Sequence, residues 1–173
     1  MVQRILYPTD LGIHASLLLG HVMEMAEHHD AEVIAVHAVE PLGVFADAVL
    51  ETYIPVDMMG DLRSYGLPAV MEAIRQQVIE AFAEEFIDVP SSMDRIRDVC
   101  VMRGSPADVI LQYAESTSAD MIVMGARGPE SEYSNLLGST AAKVLQLSKV
   151  PVLMVPLQGS KVQSSGGIHR FAG

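Results

Sequence analysis

Short β-branched apolar runs alternate along the chain with longer stretches in which apolar residues return every three or four positions. That alternation is the sequence form of repeated βαβ units around a parallel sheet. Five strands are predicted, near residues 4–8, 32–38, 96–102, 121–124 and 152–155. All but the third are nearly all apolar, as strands covered on both faces should be. Between them, Leu17, Leu18, Val22, Met25 and Ala26 mark the buried stripe of a first helix, and Val70, Ile74, Val78, Ile79 and Phe82 that of a second. Val109, Ile110 and Ala114 mark a third helix, opened by Ser105 as cap and Pro106 in the first turn, and a fourth runs from about 139 to 148.

Two segments break the pattern. Residues 41–67 contain Pro41, Gly43, Pro55, Gly60 and Gly66. They are too long for an ordinary connection and are read as an excursion with a helical piece near 44–52, either a lid or an irregular surface loop. Residues 158–173 are rich in Ser and Gly, carry no periodicity and read as a disordered, linker-like tail. The remainder, 1–157, is the size of one domain.

Composition narrows the function. The net charge of −11, from 22 acidic and 11 basic residues, leaves no basic stripe for nucleic acid or anionic lipid. One cysteine forms no internal disulfide, no leader pattern precedes the first strand and no apolar run reaches the roughly 18 residues of a membrane span, so a cytoplasmic protein is expected. The 11 methionines read as core filler.

The candidate chemistry lies behind the fourth strand. Gly125, Gly128 and Gly138 with Ser139 form G-x2-G-x9-G-S between an apolar run and a helix. Glycines there can take positive φ and let the main chain approach a ligand, and a helix start offers unpaired N–H groups and a positive dipole end to an anion. The spacing fits neither the P-loop nor the dinucleotide fingerprint. It is a third type of phosphate loop.

The string Met124-Gly125-Ala126-Arg127-Gly128, then Gly138-Ser139 and the run Val150-Pro151-Val152-Leu153-Met154-Val155-Pro156, resembles the carboxy-terminal half of a universal stress protein domain. Arg4-Ile5-Leu6-Tyr7-Pro8-Thr9-Asp10 resembles that family's first strand, and Val33-Ile34-Ala35-Val36-His37-Ala38-Val39 its second. The resemblance spans residues 2–156. It implies a single α/β domain, Rossmann-like and of the adenine nucleotide alpha hydrolase type, with helices on both faces of a parallel sheet ordered 3-2-1-4-5. It also implies ATP as ligand, because the glycine pattern marks the family's ATP-binding members.

By the same resemblance Asp10, next to Pro8 and Thr9, contacts ATP; its carboxylate suits ribose hydroxyls or an adenine amino group, and capping of the first helix is its other reading. Ala38 stands where family members read the adenine edge with main-chain groups. Gly125, Ala126, Arg127 and Gly128 are expected around the α- and β-phosphates, with Gly138, Ser139 and Thr140 at the distal ones. Arg127 is either a phosphate contact or a solvated arginine. Ser139 is read as a helix cap that meets phosphate or metal when the loop is filled. Glu130 and Glu132 beside a triphosphate imply Mg²⁺ or Mn²⁺, unless they face solvent.

Nothing in the sequence assembles a hydrolytic centre. His14, His21, His28, His29, His37 and His169 have no metal-ligand spacing; His37 reads as a core histidine, and His28 and His29 as a solvated helix end. Cys100 reads as a buried inert thiol and Glu84 with Glu85 as a polar helix face. The expected function is a nucleotide-binding regulatory module, with a slow ATPase or related hydrolase as the alternative. The β-prone residues 150–155 should form an edge strand and pair antiparallel in a homodimer, unless the tail covers that edge. An unidentified protein partner fits a module that reports nucleotide occupancy.

Overall fold

The computed structural model describes residues 1–12, 14–41, 66–86, 90–126 and 137–156. The 41–67 excursion, apart from its ends, and the tail lie outside the described residues. Among the described residues five strands and four helices alternate: β1 (Arg4–Pro8), α1 (Ala15–His29), β2 (Glu32–Val39), α2 (Leu67–Glu85), β3 (Ile96–Arg103), α3 (Pro106–Ser116), β4 (Met121–Gly125), α4 (Ser139–Leu147) and β5 (Val152–Val155). A 3₁₀ turn, Pro90–Arg95, leads into β3. The strands form one parallel sheet in the order β3-β2-β1-β4-β5, as expected.

Because the order reverses at β1, the crossovers place two helices on each face. Leu19, Val22 and Ala26 of α1 and Val78 and Phe82 of α2 pack on Ile5, Tyr7, Val33 and Ala35. On the other face, Val109, Ile110 and Ala114 of α3 and Ala141 and Val144 of α4 pack on Leu6, Ile34, Val36 and Ile122. Alternate side chains of each strand thus feed two separate cores.

The helical stripes need correction. Leu17 and Val70 are exposed, whereas Leu19 and Met23 are buried. Leu19 and Met23 lie beside Leu18, Val22 and Ala26 on the face of α1 that packs on the sheet, and Leu17 turns away from it. The start is at Ala15, with His14 in the capping position, and α1 closes on Asp30 in the left-handed conformation at φ 52°, whose N–H returns to Ala26 and Glu27. The fourth helix ends at Leu147 rather than at Ser148.

At the amino end of the sheet, the Asp120 carboxylate accepts from the N–H groups of Gln3 and Arg4 at 2.8 and 2.9 Å. Those bonds stabilise its ionised form and lower its pKa. At the outer edge of β3, Arg75 of α2 donates from Nε to the Val99 carbonyl at 2.7 Å. The N–H of Gly104 points to Val39 of β2, so alternation along the strand turns the polar groups of Val99 away from β2.

Gly104 joins β3 to α3 at φ +156°, and a Cβ there would stand 2.9 Å from Val109 Cγ2. Val109 is stiff and buried, so neither backbone nor neighbour yields cheaply. Gly104→Ala is expected to lower unfolding stability by about 1–3 kcal/mol in urea titration. An unchanged midpoint would show that the turn relaxes.

Candidate functional site

The β1–β4 ladder comprises Ile5↔Met121 and Leu6↔Ile122, ending two residues before β1 does. The crevice beyond it is the place where connections leave the sheet in opposite directions, the usual ligand position in open α/β sheets. Around it stand Pro8 at the end of β1 with Thr9 and Asp10 in the turn behind it, Ala38 near the end of β2, Gly125 at the end of β4 with Ala126 behind it, and Gly138, Ser139 and Thr140 at the start of α4. The fold brings these sequence-predicted residues to one end of the sheet. Arg127, Gly128, Glu130 and Glu132 lie outside the described residues.

The two ends of the glycine loop meet directly. The Gly138 N–H donates to the Ala126 carbonyl at 3.0 Å, and the Ala126 N–H to Val155 at 2.9 Å. Three expectations change here. Gly125 does not have positive φ, since it is the paired last residue of β4, opposite Val155. The Gly138 N–H is engaged within the loop rather than free for an anion. Ser139 is not the cap: Gly138 holds that position at φ −61° and ψ 147°, and no side chain caps the helix. The first helical N–H to reach its carbonyl is that of Ala142, on Gly138. The N–H groups of Ser139, Thr140 and Ala141 therefore form the open, positive end of α4.

Ala38 lies in a notch. Pairing of β2 with β1 stops at Pro8↔Val36, while its pairing with β3 continues to Val39↔Arg103. The Val36 carbonyl faces β1 and receives Thr9 N–H, and the Val39 carbonyl faces β3 and receives Gly104 N–H. Alternation then turns the N–H and C=O of Ala38 toward the β1 side, past the end of β1. That is a donor and acceptor pair of the kind that reads a flat heterocycle edge.

The turn after β1 is built from its own side chains. Leu11 N–H donates to Thr9 Oγ1 at 3.2 Å and Gly12 N–H to Asp10 Oδ1 at 2.8 Å. Asp10 is thus an Asx turn before α1, not its cap. One carboxylate oxygen braces the turn, and the side chain is exposed. Leu11 adopts φ 57°, costly for a branched residue without such bracing. Sequence reading missed Leu11 and Gly12, although glycine two positions after aspartate signals this turn. Beneath it, Tyr7 donates to the Ala15 carbonyl at 3.2 Å, and burial pushes its phenol up to about 12. A cavity of about 350 Å³ between α1 and α2 is lined by the turn residues Leu11 and Gly12 together with Leu19, Gln77 and Phe82.

His37 is half-buried, with Nδ1 2.8 Å from the Thr9 carbonyl, in keeping with its reading as a satisfied histidine. Cys100 is half-buried rather than buried; burial raises its pKa, which disfavours the reactive thiolate. Among the described residues no group of three His, Cys, Asp or Glu side chains is placed to hold a metal, and no helix is long and apolar enough to cross a membrane.

Comparison with known proteins places this geometry. The Universal stress protein family model matches residues 1–156. A universal stress protein of Thermus aquaticus is 31% identical over 160 residues, covering 90% of this chain and 99% of its own. The universal stress protein MJ0577 of Methanocaldococcus jannaschii is 26% identical over 92% of this chain and 98% of its own. Its solved structure superposes with a TM-score of 0.68, covering 92% and 99%. A universal stress protein crystallised with cAMP, 21% identical and covering 90% and 97%, shares the fold at a TM-score of 0.52.

Proposed function

The chain belongs to the universal stress protein family, and from that premise we propose that it is an ATP-binding regulatory module of the cytoplasm whose output is the state of the nucleotide site. The observation that carries the reading is the convergence of an uncapped helix start, a main-chain donor and acceptor pair at Ala38 and the exposed Asp10 carboxylate on one crevice. Each answers a different part of ATP. The N–H groups of Ser139, Thr140 and Ala141 suit the distal phosphates, with Gly125, Ala126, Arg127 and Gly128 along the proximal ones. The Asp10 carboxylate accepts from a ribose hydroxyl, and Ala38 reads the adenine edge through a small side chain that leaves room for the base. Pro8 and Thr9 set the level of the Asp10 turn against β2. Mg²⁺ or Mn²⁺, held by the phosphates and by Glu130 or Glu132, would neutralise charge between carboxylates and triphosphate.

Binding of fluorescent ATP, with Mg²⁺ and with ATP, cAMP and GTP as competitors, tests this. Saturable binding displaced best by ATP is expected, together with adenine nucleotide released on denaturing freshly purified protein. No binding at millimolar nucleotide refutes the proposal. Displacement by cAMP as strong as by ATP would show that the distal phosphates are not held by α4. Phosphate release during the titration, lost in a Gly138→Asp variant, would turn the reading toward slow hydrolysis.

A further inference from the structure

Thr9 is buried, 6% exposed, and is held through both of its main-chain groups by the end of β2. Its N–H donates to the Val36 carbonyl at 2.9 Å, and its carbonyl faces Nδ1 of His37 at 2.8 Å. A carbonyl only accepts, so Nδ1 carries the proton and donates, and in the uncharged ring Nε2 carries none. Among the described residues the other bonds that shape the turn are local: Leu11 onto Thr9, Gly12 onto Asp10, with Leu11 at φ 57°. A strained turn of this kind keeps its shape only when its surroundings over-determine it. The imidazole of His37 and the strand-like bond to Val36 are its anchors on the next strand.

We propose that His37 is a positioning residue of the nucleotide site: its Nδ1–H holds the Thr9 carbonyl and so fixes the direction in which Asp10 offers its carboxylate. The proposal rests on the nucleotide-binding reading and adds a residue that touches no ligand. The role belongs to one nitrogen. A side chain filling the same volume without a donor leaves a buried carbonyl unpaired and the turn free to rotate. Asparagine places an N–H donor close to the position of Nδ1, whereas glutamine extends its donor toward that of Nε2.

His37→Leu, His37→Gln and His37→Asn are compared with wild type in ATP titrations and in ligand-free melting, and the tautomer of His37 in the wild type is read from ¹⁵N imidazole shifts at a pH where the ring is uncharged. Expected are an Nδ1–H tautomer, about tenfold weaker ATP binding for His37→Leu and His37→Gln, and recovery to within about threefold for His37→Asn. An Nε2–H tautomer overturns the proposal. So does leucine binding as tightly as wild type, or asparagine binding no better than glutamine. If wild type itself binds no nucleotide, the functional reading fails and this proposal with it, although an Nδ1–H tautomer would still confirm the bond to Thr9. If His37→Leu does not fold, the comparison of asparagine with glutamine and the tautomer decide.

Discussion

Gly138→Asp is expected to yield a folded protein that no longer binds ATP. Gly138 stands at φ −61° and ψ 147°, a conformation open to any residue, and occupies the capping position of a helix that has no side-chain cap. Aspartate is among the best residues there, and its charge favours the helix dipole, so ligand-free stability should hold or rise by up to about 1 kcal/mol. The same carboxylate takes the N–H groups that the distal phosphates need. A like charge roughly 4 Å from a phosphate costs about 4 kcal/mol at an effective dielectric of 20, close to a thousandfold in affinity. Wild type at a hundred times its Kd should gain about 2.7 kcal/mol from ATP, read as several degrees in Tm, and the variant should gain none. Equal ATP stabilisation of both proteins would show that the start of α4 is not the phosphate site.

The second large effect concerns assembly. We propose a homodimer formed by antiparallel pairing of residues 150–155, which include β5, across a two-fold axis. The strand lies at the edge of the sheet, and Leu153 is 38% exposed. The carbonyls of Pro151 and Val155 face β4, so alternation turns the polar groups of Val152 and Met154 outward, unpaired among the described residues. Val152→Pro removes an outward N–H without touching the ladder to β4, and Leu153→Asp puts a charge where two copies would meet. Together they should weaken dimerisation at least a hundredfold, giving a folded monomer in sedimentation at tens of micromolar. A wild type that is already monomeric there excludes the dimer. A double variant that still dimerises places the interface elsewhere.

Much of this architecture is legible in the sequence, because buried parallel strands announce themselves as apolar runs and their order follows from the family resemblance. The residues of the crevice are legible for the same reason: aspartate and glycine directly behind apolar runs fall at carboxyl ends of strands. What escaped depends on contacts between distant segments. His37 sits in an apolar string, and nothing local tells that its ring reaches the turn after β1. Leu17 and Leu19 both flank Leu18 in the sequence, and it is packing of α1 on β1 and β2 that buries Leu19 and leaves Leu17 exposed. Ser139 carries every local mark of a cap, yet Gly138, bonded to Ala126, holds that position and the helix starts one residue earlier than a serine cap would require. The freedom expected of Gly125 fails because β5 pairs with it.

A sheet able to recruit a second copy through one edge is in danger of recruiting a third through the other. The guanidinium of Arg75 lies on that other edge, occupying the outward carbonyl of Val99 with a side chain that no incoming strand can pair with. Growth by strand addition would need two receptive ends, and at Val99 the β3 edge is already engaged. For the proposed dimer, stoichiometry would then depend on the helix that bears Arg75 as well as on β5: a β3 edge held in this way favours a closed pair over a fibre.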